Sequence, residues 1–155
     1  MKQEQRLVAE LFRYISPFYD VSKEFYVSLD GQAAIEGVKR DTFQDETIPD
    51  LWFSLVGVKG PVLLEAKIIK KKKILLTQAQ LRKWKTSSQC PHKPMGWVAA
   101  NIDFTEYYYW SHKDVLPSLD KSKSKQATLE LKYPEKSAMK FKTVAELALH
   151  VLKNA

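Results

Sequence analysis

The stretch "IPDLWFSLVGVKGPVLLEAKIIKKKK", residues 48–73, decides the fold because it reads as a buried β-hairpin that ends in a run of lysines. Leu51–Val56 and Val62–Ile69 are predicted strands, and the "GVKGP" segment between them carries the glycine and proline residues of a turn. Charged groups are costly to bury unless they are paired or bind a metal. Three charged residues nevertheless lie inside this apolar stretch: Asp50, Glu65 and Lys67.

Strand geometry predicts that these three charges converge. Side chains alternate between the two faces of a strand, so Glu65 and Lys67 share one face. A turn centred on residues 58–59 predicts that Asp50 pairs with Lys67 and lies diagonally from Glu65, with Cβ atoms about 5–8 Å apart. A slip of one residue would move Asp50 to the other face. The alternative is that Glu65 and Lys67 form an ion pair on an exposed face and that Asp50 caps a strand.

Two carboxylates and a lysine at one point suit the hydrolysis of a phosphodiester. Asp50, Glu65 and the backbone carbonyl of Ala66 would supply oxygen ligands for a hard cation such as Mg²⁺. The cation would polarise a phosphoryl oxygen and lower the pKa of a bound water. Lys67 would hold or activate that water and offset the developing negative charge.

The N-terminal part of the chain predicts a helix, a strand and a long loop. The helix spans Lys2–Ile15, with an apolar stripe that includes Leu7, Val8 and Leu11. Glu4 falls on that stripe and Glu10 nearer its edge; the alternative for Glu4 is an exposed acid that favours the helix N-terminus. A strand over residues 23–31 ends in Asp-Gly, and residues 32–47 form a polar loop.

The rest of the chain predicts a helix from Thr77 through about Lys85, two strands ("GWVAANI" and "TEYYYWS") and a charged loop over residues 118–126. A short strand, "ATLELKY", and a final helix capped by Thr143 and Glu146 follow. In the "YYYW" segment, alternation predicts that half of the aromatic side chains are exposed. We predict one α/β domain, residues 1–155, in which helices flank a central mixed β-sheet. Its core spans about residues 1–112, and residues 113–155 form a C-terminal strand and helix extension.

Composition narrows the class of partner. The 155 residues carry a net charge of +7, which favours polyanions: nucleic acid first and an anionic membrane surface second. No apolar run approaches the roughly 20 residues of a membrane span, and the N-terminus lacks the apolar segment of a signal peptide, which predicts a cytoplasmic protein. The single cysteine, Cys90, excludes an internal disulfide and a cysteine-based zinc site.

The hairpin also resembles a known motif. "PD" at Pro49–Asp50, fourteen residues, and then "EAK" at residues 65–67 resemble the PD-(D/E)xK nuclease superfamily, with archaeal-type Holliday-junction resolvases as the most similar members. The "LTQAQLRKW" segment resembles the Ser/Thr-x-x-Gln pattern of the superfamily and places Gln80 beside the site. The acid on the N-terminal helix, Glu4, is a further likeness, and the resemblance covers about residues 1–110.

The resemblance implies a restriction-endonuclease-like fold and a DNA endonuclease that uses Mg²⁺ or Mn²⁺. By this likeness Asp50 and Glu65 bind the metal, and Lys67 acts on the attacking water. Glu4 contributes as a ligand or through a water, with Glu10 in its place if the helix phase differs, and Gln80 supports the site. No clear Gly-Ser segment of the kind that junction resolvases carry lies between the helix and "PD", and Glu36 or Asp41 would stand in for part of the role of that loop. Junction resolution requires two symmetric cuts, which implies a homodimer.

Lys70–Lys73 are predicted to lengthen the second strand of the hairpin beyond the site, and basic residues next to the site favour contact with the DNA backbone. They contact phosphates without reading sequence and comprise Lys70, Lys71, Lys72, Lys73, Arg82, Lys83 and Lys85. A solvated lysine run is the alternative. The aromatic residues of "YYYW" are interpreted mainly as packing, and the stacking of one exposed tyrosine on a base is the alternative. Two other functions stay open: a restriction-type or repair nuclease on the same fold, and a nucleic-acid-binding module that does not cut.

Overall fold

The computed structural model describes residues 3–23, 26–27, 50–71, 73–77, 96–111, 128–132 and 138–155. Within these residues there are two helices, α1 (Gln3–Ile15) and α2 (Val144–Lys153). The described strands are β1 (Tyr26–Val27), β2 (Leu51–Phe53), β3 (Val62–Ile69), β4 (Lys73–Thr77), β5 (Gly96–Asn101), β6 (Tyr107–Ser111), β7 (Thr128–Lys132) and β8 (Met139–Phe141).

Six of these strands form one mixed sheet in the order β1-β2-β3-β5-β6-β8. Only the β3–β5 pair is parallel, and the other four neighbouring pairs are antiparallel. Strands β4 and β7 form a separate antiparallel ribbon. The predicted α/β class with a central mixed sheet is therefore confirmed.

The core lies where α1 and α2 pack on one face of this sheet. The apolar stripe predicted for the N-terminal helix is confirmed, since Leu7, Leu11 and Ile15 have no solvent exposure. It packs in one cluster with Leu64 and Ala66 from the centre of the sheet. Helix α2 begins as predicted, because the Thr143 hydroxyl accepts a hydrogen bond from the Glu146 amide at 3.2 Å. No helix in the described ranges is long and apolar enough to cross a membrane.

The hairpin turns differently from the prediction. Strand β2 stops at Phe53 because the next residues pair with the segment after α1: the Asp20 amide donates to the Ser54 carbonyl at 2.6 Å and the Val56 amide to the Phe18 carbonyl at 3.1 Å. The reversal back to β3 uses Gly57, with a φ of 76° that favours glycine.

The predicted pairing of Asp50 with Lys67 is wrong. The observed pairs are Leu51 with Leu64, Trp52 with Leu63 and Phe53 with Val62. If this register continues, Asp50 lies opposite Glu65, two residues from the predicted partner. The difference arises because the turn between β2 and β3 is centred one residue earlier in the chain than predicted. A shift of two residues preserves the face, so the predicted convergence of Asp50 and Glu65 does not depend on this error.

Two further expectations are wrong in the described strands. The lysine run does not lengthen β3: Lys71 adopts a left-handed φ of 51°, and Lys73 begins β4 in the separate ribbon. The "YYYW" segment does not alternate between buried and exposed, since Tyr107, Tyr108 and Trp110 are all buried and Tyr109 is partly buried. Both faces of β6 are covered, so none of these tyrosines is exposed for stacking on a base.

Several other predictions concern parts of the chain outside the described residues: the loops over 32–47 and 118–126, and the helix predicted from Thr77, of which only Thr77 itself is described, as the last residue of β4. Of the strand predicted over residues 23–31, the structure describes Tyr26–Val27 as β1. The strand predicted from "ATLELKY" is confirmed as β7.

We expect Gly96→Ala to destabilise the fold by about 1–3 kcal/mol, because overpacking of a filled site has costs of this size. A Cβ at Gly96 would lie 2.8 Å from Cε2 of Tyr109 and 3.1 Å from Cδ2 of Leu64. The Tyr109 ring also packs against His150, with centroids 4.8 Å apart, which restricts its movement. Urea unfolding measures the change. In a Tyr109→Leu background the same substitution should cost less, and an equal cost there would show that the clash is not the cause.

Candidate active site

The central strand β3 carries two buried charges. Glu65 is 2% exposed and Lys67 is 5% exposed. They lie on the face opposite Leu64 and Ala66, which belong to the core beneath the helices. The alternative that Glu65 and Lys67 form an ion pair on an exposed face is therefore wrong. Burial of both charges on a central strand requires strong compensation, which is typical of a functional site.

Asp50 lies beside these charges, directly before β2. Its Oδ2 atom accepts a hydrogen bond from the backbone amide of Ala66 at 2.8 Å. This bond takes the place that a longer β2 would use, since the described pairing on this side of β3 ends at Leu64. The N–H and C=O groups of a strand residue point to the same side. The Ala66 carbonyl is therefore directed to the side of β3 on which Asp50 lies.

The electrostatics of the site favour a bound cation. Burial raises the pKa of Asp50 from 3.8 to about 8, with the negative charge of Glu65 as the second cause and that of Glu4 as a smaller one. The Ala66 amide and the Lys67 ammonium act in the opposite direction and lower the pKa. The carboxylates of Asp50 and Glu65 repel each other and lie beside the Ala66 carbonyl. Together these groups form an oxygen-rich site, and a divalent cation would relieve the repulsion.

The structure distinguishes the two acids of α1. Glu4 lies in the first turn, and its charge reaches Asp50. Glu10 instead forms an ion pair with Arg6 at 2.9 Å and contributes to the raised pKa of Tyr107, whose main cause is burial. Glu4 is exposed, contrary to its predicted place on the buried stripe. The reason is that helical side chains lean toward the N-terminus, so a first-turn side chain extends beyond the packed part of the helix.

Among the residues that the structure describes, no three side chains of His, Cys, Asp or Glu lie close enough to form a metal site by themselves. Two carboxylates and one carbonyl nevertheless suit Mg²⁺, which usually keeps several waters and shares the rest of its coordination with a phosphate. The residues present therefore fit this ion.

The sheet places an apolar floor beside the charged residues, which the sequence did not predict. Trp97 on β5 is the neighbour of Glu65, and Ala99 is the neighbour of Lys67. Trp97 is 1% exposed, so a buried aromatic side chain lies next to Glu65. Parallel pairing between β3 and β5 brings these residues together, and periodicity alone does not reveal which strands are neighbours.

The other predicted site residues divide into two groups. Lys70 and Lys71 are exposed where β3 ends, and Lys73 is the first residue of β4. The remaining ones lie outside the described residues and comprise Glu36, Asp41, Lys72, Gln80, Arg82, Lys83 and Lys85.

Comparison with known proteins finds likeness among solved structures and none among sequences. No protein-family model matches the chain, and no curated protein matches it in sequence. Among solved structures, the chain is similar to Hjc, a Holliday junction resolvase from the archaeal hyperthermophile Archaeoglobus fulgidus, with a TM-score of 0.45 and 12% sequence identity. The likeness covers 94% of this chain and 99% of that one. A likeness at this level does not establish a family.

Proposed function

We propose that this protein is a metal-dependent nuclease that hydrolyses phosphodiester bonds in DNA. The observation that carries the proposal is the burial of Glu65 and Lys67 on one face of β3, next to Asp50. A module that only binds nucleic acid gains nothing from buried charges of both signs, because backbone phosphates are contacted by exposed basic residues. We assign it the restriction-endonuclease-like fold and, as its specific activity, structure-selective cutting of four-way junctions by a homodimer.

Each residue has a defined part in this mechanism. Asp50, Glu65 and the Ala66 carbonyl would hold Mg²⁺ or Mn²⁺, with Glu4 as a further ligand or through a water. When bound, the ion polarises the scissile phosphate and makes water more acidic. Lys67 donates hydrogen bonds to the attacking water and to the negative charge that develops on the phosphate. Its burial excludes bulk water, which strengthens this interaction.

The basic surface supports DNA as the substrate. The chain carries a net charge of +7, and the exposed Lys70 and Lys71 lie at the end of the strand that carries Glu65 and Lys67. Such contacts position a phosphate backbone and carry no sequence information. We therefore expect recognition of DNA shape. A restriction-type or repair nuclease is the second candidate, because the same three charges would serve that activity.

A cleavage assay tests the proposal. We expect the protein to cut four-way junctions in Mg²⁺ or Mn²⁺, with paired symmetric cuts, and to lose all cutting in excess EDTA. Single strands, duplexes and flaps of matched sequence are the comparison substrates, and light scattering measures the oligomeric state. Cutting of duplexes at one sequence would favour the restriction-type candidate. Binding without any cleavage in either metal would contradict the nuclease proposal.

A further inference from the structure

Strand β2 exposes a large aromatic side chain. Leu51 and Phe53 have no solvent exposure, whereas Trp52 between them is 39% exposed. Because Leu51 and Phe53 belong to the core beneath the helices, Trp52 lies on the other face of the sheet. Single exposed apolar residues are common on protein surfaces, so the position of this ring decides what it means.

The register sets Trp52 beside the proposed active site. Trp52 pairs with Leu63 on β3, and directly opposite residues share a face. Leu63 precedes Glu65 by two residues, so it lies on the face that carries Glu65 and Lys67. Trp52 and Glu65 are therefore diagonal neighbours, which are about 7–8 Å apart and within reach of an aromatic side chain. The exposed ring lies next to the residues that are proposed to hold the cation.

Among the strand side chains that the structure describes, the other large apolar one that is exposed has a different place. Met139 on β8 is 50% exposed. It is in register with Tyr109, which is in register with Val98 of the core. Partners in register share a face, so Met139 lies on the face that the helices cover. The exposed ring of Trp52 is thus a feature of the site face.

A nucleobase is the ligand that suits this ring. The proposed cation takes a phosphate of the bound strand, and only a sugar separates that phosphate from the base of the same nucleotide. Aromatic side chains bind bases by stacking, and every base offers a π face. In an intact duplex these faces are covered by the neighbouring bases, so a protein ring reaches one only where the stack is interrupted.

We propose that Trp52 stacks on an unstacked base next to the scissile phosphate. The substrate is then DNA whose base stack is interrupted beside the cut, as at a branch point, and an unbroken duplex lacks this contact. The inference rests on the proposed function. It adds a determinant of DNA shape that phosphate contacts alone do not supply.

Binding to junctions with and without that base tests the inference. Cleavage by wild type in Mg²⁺ first maps the cut, and a second four-way junction then carries an abasic site in place of the base beside it. Fluorescence anisotropy in EDTA measures the affinity for both. Trp52→Leu keeps an apolar side chain opposite Leu63 but has no ring. We expect it to bind the intact junction about 5- to 100-fold more weakly than wild type, the range for loss of one stacked base.

The abasic junction separates stacking from a structural role. Trp52→Leu and wild type should bind it equally, because the base that the ring would contact is missing. Trp52→Phe should retain most of the affinity for the intact junction, since a ring is still present.

Tyr14→Leu is the matched control. Tyr14 is 47% exposed and lies on α1, which packs on the other face of the sheet, so this variant should bind both junctions as wild type does. Equal affinity of Trp52→Leu and wild type for the intact junction, together with cleavage by wild type, would overturn this inference alone. An equal loss of affinity for both junctions would also overturn it, because the ring would then act through a contact other than the base. Failure of wild type to bind or cut any DNA would overturn the proposed function as well.

Discussion

Asp50→Asn and Lys67→Ala are each expected to lower the rate of DNA cleavage in Mg²⁺ by at least about a hundredfold, the size of effect seen when a charge-stabilising group is removed from an active site. Asp50→Asn removes one of the two carboxylates that are proposed to hold the cation, and Lys67→Ala removes the ammonium that is proposed to act beside the attacked phosphate. Neither residue belongs to the exposed lysines at the end of β3, Lys70 and Lys71, so the affinity for DNA in EDTA should change little. Single-turnover cleavage with enzyme in excess measures the chemical step.

Two exposed residues supply the matched controls. Asp103→Asn and Lys153→Ala make the same changes of side chain on the surface, and both should cut at the wild-type rate. Because Lys67 is buried, Lys67→Met, which retains most of the side-chain volume, separates loss of the charge from loss of packing. If Asp50→Asn and Lys67→Met cut as fast as wild type, the site is assigned to the wrong residues.

The second expected result is a loss of stability as the pH rises in the absence of metal. The pKa of Asp50 is raised by burial and by Glu65 to about 8 in the folded protein, against an ordinary value of 3.8. The folded state therefore holds a proton that the unfolded state releases. The bound proton of Asp50 therefore contributes fully to the free energy of unfolding below about pH 4. This contribution is lost progressively as the pH rises through about 8.

Thermal unfolding in EDTA across this pH range measures the effect. Asp50→Asn cannot ionise and keeps a side-chain oxygen that accepts from the Ala66 amide, so its melting temperature should exceed that of wild type by a margin that grows with pH. Mg²⁺ should stabilise wild type more at pH 9 than at pH 6, because the Asp50 carboxylate is then ionised. A margin that does not change between pH 4 and pH 9 would show that the pKa of Asp50 is not raised in the folded protein.

The sequence predicts correctly which side chains of β3 share a face, but it does not predict which residues of the two hairpin strands pair with each other. Alternation alone predicts that Glu65 and Lys67 share a face and that Leu64 and Ala66 share the other, and the structure confirms both. The pairing of Asp50 depends on where the chain reverses, and that is decided by main-chain bonds from residues 54–56 to the segment after α1. Such contacts between distant segments leave no periodic signal in the sequence.

Tertiary contacts also explain the other errors. The lysine run predicts a continued strand, but Lys71 adopts a left-handed backbone that its residue type does not favour, and this ends the extended backbone after β3. The buried Tyr108 has its hydroxyl bonded to Glu106 at 2.5 Å, which compensates its burial on a strand that alternation alone would half expose. Glu4 has the spacing of a core position, yet its place in the first turn leaves it exposed.

The hydrogen bond from the Ala66 amide to Asp50 has a consequence for the sheet itself. A strand amide that donates to a side-chain carboxylate at 2.8 Å cannot also pair with the main chain of a longer β2. The residue before Asp50 in the sequence is Pro49, which has no N–H that could donate to the Ala66 carbonyl from a longer β2. The Asp50 carboxylate thus takes the Ala66 amide that a longer strand would use, and the proline beside it in the sequence could not bond the neighbouring carbonyl. One dipeptide, Pro49–Asp50, therefore both limits the hairpin and supplies the carboxylate that is proposed to bind the cation.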